Sequence, residues 1–379
     1  MKKTIAINLG SVFLLLLAAS GLGAAWTTKR LTNNAGKSRD PAVAASGANV
    51  FVVWADDTPG NSEILFRRSL DNGATWKSAM QLTNTSGYSD DPTVALSGAN
   101  VYVVWEDETP GNSEIYFLQS SDSGATWKSA KRLTNNAGDS EFPRIAARGG
   151  NIYVMWVDDT PGNEEIFFRR SPDYGATWQS AKRMTNSYGY SAQPGIAADG
   201  ANVYLSWYDD TTGSAQIYFR RSANWGLSWE AAKQVSSSGS SSDPAIAAAG
   251  DGATVYLAGR SDSTGNQEIH FIRSDDNGAT WGGHKQITHT AGYSNMPSIA
   301  ASGDDVYLVW MDDTATGSGE VYFRNSADKG ANWGAAQRLT FNTTWSDLPK
   351  IAAGETNVFV AYYDSAPGNL EVFLKYSQR

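Results

Sequence analysis

The sequence predicts an all-β fold, a seven-bladed β-propeller built from four-stranded blades. Three observations predict it. The octapeptide Ser69-Leu70-Asp71-Asn72-Gly73-Ala74-Thr75-Trp76 returns with its Trp at Trp127, Trp178, Trp229, Trp281 and Trp333, a period of 51 or 52 residues. A period of that length whose unit reads as several short strands marks a propeller. Seven short apolar segments begin at Pro41, Pro92, Pro143, Pro194, Pro244, Pro297 and Pro349, and seven outer segments open on Trp26, Trp76, Trp127, Trp178, Trp229, Trp281 and Trp333.

Residues 1–25 read as a signal peptide rather than as part of the fold. Lys2 and Lys3 supply a positive start, Ile5 to Ala19 is mostly apolar, and Gly23-Ala24-Ala25 offers small residues for cleavage before Trp26. An uncleaved anchor is the alternative, although the apolar run is short for a membrane span. The propeller then occupies residues 26–379 of a secreted chain.

Within the first unit, Pro41 to Ala45 reads as the inner strand, where small residues suit the crowded centre. Asn49 to Trp54 is the second strand and too apolar to have a wet face. Glu63 to Arg68 is the third strand, and Trp76 to Leu82 the fourth and outermost. Ser46-Gly47-Ala48-Asn49 reads as a tight turn, and Thr58-Pro59-Gly60-Asn61 as a type II turn. The last unit runs out of chain after three strands. Trp26-Thr27-Thr28-Lys29-Arg30-Leu31 resembles Trp127 to Leu133 with one residue deleted, so the N-terminal strand is expected to complete blade seven and close the ring.

There is no cysteine, so packing and not disulfides must hold the fold, which a chain of this length can achieve. The formal charge is −9, and −11 once Lys2 and Lys3 are removed. An acidic chain with no basic run excludes nucleic acid as the expected partner. The protein is expected to be a monomer without a membrane span after cleavage.

The octapeptide Ser-x-Asp-x-Gly-x-Thr-Trp spans the hairpin between third and fourth strands. Its Asp is suited to accept backbone amides, its Gly to a permissive turn, and its Trp to anchor the hairpin against its own sheet. These residues resemble the Asp boxes, or bacterial neuraminidase repeats, of the sialidase-like superfamily. Ser222, Asn224 and Ser228 depart from the pattern in blade four, as does Asn332 in blade six. The resemblance implies a propeller with its Asp boxes on the face opposite the ligand. It implies carbohydrate cleavage only where a catalytic set is intact. Sialidases have six blades, an arginine triad introduced by Phe/Tyr-Arg-Ile-Pro, an Asp acid and a Tyr-Glu nucleophile pair. The nearest counterpart here is Phe142-Pro143-Arg144-Ile145, in altered order.

Side chains that recur in every blade are most simply scaffold. That covers the strand-leading Trp residues, Trp54, Trp105, Trp156, Trp207 and Trp310 on second strands, and the Arg67/Arg68-type residues ending third strands, and it leaves Trp225 and Trp345 over. The repeated loop Asp56 to Glu63 carries oxygens that suit Ca²⁺, but its spacing is not that of an EF-hand and an Asx-stabilised turn explains it. No cofactor is expected. His270, His284 and His289 lack metal-ligand spacing.

Symmetry-breaking residues on the face that carries the loops into the inner strands are the candidates. Before the invariant Ser of each loop stand Lys37, Tyr88, Asp139, Tyr190, Ser240, Tyr293 and Trp345, so Tyr88, Tyr190, Tyr293 and Trp345 are candidate ligand-binding aromatics. Arg39, Arg144 and Arg260, in blades one, three and five, are candidates for a carboxylate clamp. The favoured reading is a non-catalytic propeller binding a glycan or an extracellular protein. The alternative is a sialidase-type exo-glycosidase, with those arginines on the substrate carboxylate, Tyr190 or Tyr293 as nucleophile and Asp139 as acid.

Overall fold

The computed structural model describes residues 25–379, so the expected signal peptide lies outside the described residues except for Ala25. Every regular element among them is a β-strand, and the strands form seven four-stranded antiparallel sheets. Blade one consists of Ser38–Ser46, Asn49–Asp56, Glu63–Ser69 and Met80–Gln81, and the next five repeat that order. Blade seven joins Ser346–Ala353, Asn357–Asp364 and Glu371–Gln378 to Thr27–Arg30 from the other end of the chain.

Second strands are apolar on both faces because each sheet is covered by a blade on either side. Phe51, Val53 and Phe66 of blade one, for example, share a cluster with Val101, Val103 and Trp105 of blade two. Burial of this kind is the main stabilising contribution in a chain with no disulfide.

At the seam, Thr27 pairs with Tyr376 and Arg30 with Phe373, and the Leu31 amide continues the ladder to the Val372 carbonyl at 2.8 Å. Arg30 also reaches the buried Glu371 carboxylate at 3.0 Å. The closing strand has four residues where the other outer strands have two. The cause is the one-residue deletion. In blade one Arg68 pairs with Lys77 and Phe66 with Met80, so three steps on one strand face two on the other and the ladder breaks around Ser78 and Ala79. The seam strand lacks that extra residue and runs straight. The outer strand expected over Trp76 to Leu82 is therefore reduced to Met80–Gln81, with its Trp ahead of it.

The Asp box also differs from expectation in what its Trp touches. Trp127 of blade two meets Phe66 of blade one edge-on, and Trp26, Trp178, Trp229, Trp281 and Trp333 do the same to Phe323, Phe117, Phe168, Phe219 and Phe271, with centroids 4.9–5.1 Å apart. The Trp anchors the hairpin against the preceding blade, not its own sheet. The box Gly is needed at that contact: a Cβ on Gly124 would lie 2.5 Å from the Phe66 ring, and its φ is 74°. Asp71 accepts the Thr75 amide at 2.8 Å and the Thr75 hydroxyl at 2.5 Å, and these bonds hold its carboxyl down at about 2.

The turn after the second strand begins one residue earlier than expected. The Gly60 amide donates to the Asp57 carbonyl at 3.1 Å, which puts Pro59 third and Gly60 last in the turn, with φ 121°. The loops between second and third strands lie beside those leading into inner strands, as the Asp57 amide to Lys37 carbonyl bond of 2.9 Å shows. The Asp boxes lie on the opposite face, against the turn joining first and second strands, where the Asn72 amide bonds the Ala48 carbonyl at 2.8 Å.

Candidate functional site

Each inner strand starts with a bulge that the sequence did not announce. The residue before the Pro has left-handed backbone in all seven blades: Asp40, Asp91, Phe142, Gln193, Asp243, Met296 and Leu348, with φ between 46° and 53°. The register of each inner pair shifts there, as between Arg39 and Ala42. Such backbone is uncommon outside glycine, and it re-aims side chains. Repeated around the ring, it places seven side chains, three of them Asp, at one mouth of the central channel, with the residue after each Pro just inside.

Two of those inner positions are basic. Arg144 from blade three and Lys350 from blade seven enter from opposite sides of the channel, where the other blades have Ala42, Thr93, Gly195, Ala245 and Ser298. Burial, followed by the Arg144 charge, lowers Lys350 to about 8. Burial also lowers Arg144, against the opposing charges of Asp91, Glu106 and Asp40. Asp40 rises to about 7, through burial first and then the neighbouring Asp91. Glu106, which accepts the Phe142 amide at 2.9 Å, is likewise raised by burial and by Asp91. The mouth thus holds two cations and several carboxyls, two of which keep their protons far above the usual carboxylate range. Opposed perturbations of this kind, gathered in a concavity, are characteristic of functional sites.

The three arginines singled out by symmetry do not share a partner among the hydrogen bonds and ion pairs. Arg39 bridges blades one and two, bonded to Asp57 at 2.6 Å, Asp90 at 2.7 Å and Ser62 at 3.0 Å. Arg260 is held by Ser242 at 2.6 Å, Asp243 at 3.1 Å and Gln267 at 3.1 Å. Arg144 donates to the Pro143 carbonyl at 2.9 Å and lies among the opposing charges of Asp91, Glu106 and Asp40, while Arg39 reaches Asp40 at 3.5 Å. Asp139 accepts the Ser113 amide at 2.9 Å.

The four rim aromatics occupy equivalent loops around the mouth. Tyr88, Tyr190, Tyr293 and Trp345 expose 48–54% of their surface. Their backbones are fixed from the adjacent loop: Asp210 accepts the Tyr190 amide at 2.7 Å, Asp313 that of Tyr293 at 2.7 Å, and the Ser365 hydroxyl that of Trp345 at 3.1 Å. Trp345 rests on Gly319, whose missing side chain leaves room for the indole. Tyr188 and Phe142 add exposed rings that sequence reasoning passed over, as it passed over Lys350, Asp40, Asp91 and Glu106. Comparing blades at the positions flanking each inner-strand Pro finds four of these six; Tyr188 lies in an entry loop, and Glu106 stands out at the end of its second strand.

The Asp56 to Glu63 loop is engaged by protein donors. Asp56 accepts Ser38, Trp54, Asn34 and the Thr58 amide at 2.8–2.9 Å, and Glu63 accepts the Thr85 amide at 2.7 Å. No cluster of three or more His, Asp or Glu residues is placed to hold a metal ion among the described residues.

The overall architecture matches solved structures over nearly the whole chain. A polysaccharide lyase of family PL25, an ulvan lyase, superposes with a TM-score of 0.59 at 11% identity, covering 91% of this chain and 94% of its own. The fold is that of a sialidase-like β-propeller. A mutant Trypanosoma rangeli sialidase displaying trans-sialidase activity matches with a TM-score of 0.57 at 11% identity, over 93% of this chain and 59% of its own. The phage phi92 endosialidase matches at 0.56 and 9% identity, over 94% and 69%. This propeller therefore spans about three fifths of the length of that sialidase. No protein-family model and no curated protein sequence matches the chain.

Proposed function

We propose that the protein is a secreted glycan-binding propeller that uses the channel mouth and its aromatic rim as one recognition surface. The observation that carries this reading is the set of half-exposed rings, Tyr88, Tyr190, Tyr293 and Trp345, on equivalent loops around a polar, charged mouth. Aromatic faces stack on sugar rings, while carboxyl, guanidinium and ammonium groups take up hydroxyls. The solved propellers of similar architecture bear the names of a polysaccharide lyase and sialidases, which supports a carbohydrate as the class of ligand. The engagement of Arg39 and Arg260 by neighbouring carboxylates favours binding over a sialidase-type carboxylate clamp.

Affinity for a panel of polysaccharides, measured with the parent, Tyr293→Ala and Trp345→Ala, tests the proposal. Each lost ring is expected to cost about 0.5–1.5 kcal/mol, or roughly 2- to 12-fold in Kd. Unchanged affinity in the double variant removes the basis of the reading. Binding that survives enzymatic removal of glycans from a cell-surface partner points instead to a protein ligand.

A catalytic reading draws on one specific observation, the raised Asp40 and Glu106 beside Arg144 and the lowered Lys350. Groups titrating near neutrality can exchange protons with a bound sugar. Release of new reducing ends from the bound polysaccharide, lost in Glu106→Gln, would establish it. Release of sialic acid from a chromogenic glycoside, with Arg144→Ala as control, tests the sialidase form.

A further inference from the structure

Blade five lacks the residue that fills the space against blade four, and it lacks that residue's partners as well. In blade two Trp105 stacks on Tyr116 across the strand pair and its indole N–H donates to Asp107 at 3.2 Å. Trp156 with Phe167 and Asp158 repeats the set in blade three. Blade one keeps Trp54 and Asp56, bonded at 2.9 Å, with Leu65 as the cross-strand neighbour. In blade five the three positions are Gly259, His270 and Ser261, so indole, stacking ring and carboxylate are replaced together. Ser261 accepts the Ser241 hydroxyl at 3.1 Å, so no buried carboxylate is stranded by the exchange.

What remains is a cavity of about 290 Å³ between blades four and five. That is near the lower end of the range for small-molecule sites. Its floor is apolar, with Ile217, Leu257 and Gly259 buried, and exposed Ser237 and His284 stand at its opening. The His270 Nε2 atom is buried there without a hydrogen-bond partner. A Cβ added at Gly259 would lie 2.3 Å from Ile217 Cδ1, so a larger residue cannot enter unless Ile217 moves. Burial and the nearby His284 lower the His270 pKa, which keeps this imidazole neutral at physiological pH.

We propose that this cavity is a second ligand site, separate from the channel mouth, that takes a neutral heteroaromatic ring of indole size with its polar edge toward His270. The walls are those that receive an indole in the other blades, and apolar cavities of this kind bind flat rings. His270 supplies the polar contact that Asp56 and Asp107 supply to their own blades' indoles.

The probe is indole itself, with methyl glucoside as the competing ligand class. Indole is expected to raise the Tm of the intact protein saturably, by about 1–3 °C at ten times its Kd, and to show ligand-observed NMR contacts. His270→Leu, which copies blade one, is expected to weaken indole about 5-fold through loss of one hydrogen bond. The triple variant Gly259→Trp, Ser261→Asp, His270→Tyr refills the slot and is expected to abolish the shift. If it does not fold, His270→Leu remains the readout. No saturable effect of indole on the parent, an unchanged affinity in His270→Leu, an undiminished shift in a folded triple variant, or binding of methyl glucoside in place of indole would each overturn the proposal. None of these readouts involves the rim aromatics, so the fate of the glycan-binding reading is decided separately.

Discussion

Asp40 shows how one position can be shaped by both backbone and charge. It adopts a left-handed conformation at φ 50°, which costs of order 1 kcal/mol for a side-chain-bearing residue, and it persists because the ring packs seven such bulges side by side. Among Asp90, Asp91, Arg39 and Lys350, burial is the largest influence on its carboxyl and lifts it from 3.8 to about 7. Between about pH 4 and pH 7 the folded protein then holds a proton that the unfolded chain has lost. Stability contributed in this way falls as pH rises through that window. Asp40→Asn is expected to flatten the decline and to be more stable than the parent at pH 8 by roughly 1–2 kcal/mol, after allowance for solvent screening. Urea unfolding at pH 5 and pH 8 measures this. A parent and variant that differ equally at both pH values would show that Asp40 is ionised throughout.

At the scale of the element, the Asp-box hairpin is an inter-blade fastener. Its Ser and Asp set the turn, Ser69 bonding the Gly73 amide at 2.9 Å, and its Trp is delivered to the neighbour's Phe. The recurrent arginines do related work: Arg67 donates to Lys77 O of its own blade at 2.9 Å and to Leu31 O of the preceding one at 2.6 Å. Trp127→Ala, at a half-buried site, is expected to cost about 2–4 kcal/mol. Its coupling to Phe66→Ala in a double-mutant cycle is expected at about 0.5–1.5 kcal/mol. A coupling near zero, with Trp127 coupled instead to residues of its own sheet, would return the Trp to the role first expected of it.

At the scale of the molecule, the ring is closed by joining the chain ends. Thr27–Arg30 covers the edge of Glu371–Gln378, and Arg379 ties the C-terminus to blade six through Tyr307 at 2.9 Å and Asp305 at 2.9 Å. Removing the chain up to residue 31 exposes a strand edge, deletes the Trp26–Phe323 contact and leaves the buried Glu371 without Arg30. The truncated protein is expected to unfold about 5 °C lower or more, through a loss of a few kcal/mol, and to self-associate at the open edge. Scanning calorimetry with light scattering checks both. A truncated protein with an unchanged Tm would mean that the seam contributes nothing to the stability of the ring.

How much of this was readable in advance depends on the range of the interaction. Blade number, strand order and the N-terminal origin of the closing strand follow from the sequence alone, because a repeat that is hydrophobic on both faces can bury itself only against copies of itself. The deleted residue between Trp26 and Leu31 was visible in the sequence, but that it lengthens the seam strand appears only once the bulge in the other outer strands is seen. The rim aromatics were legible because they break a local pattern at one loop position. The channel cluster was not, since Asp40, Glu106, Arg144 and Lys350 come from blades one, two, three and seven, and only closure of the ring brings their charges together. The same holds for the cavity in blade five. Gly259 was visible as a missing Trp, but the joint replacement of its partners and the space left against Ile217 depend on cross-strand and cross-blade packing that no local pattern encodes. Periodicity and patterning along the chain were enough to set the architecture. The tertiary structure decided which unlike residues share one volume, because burial and proximity act on side chains far apart in the chain.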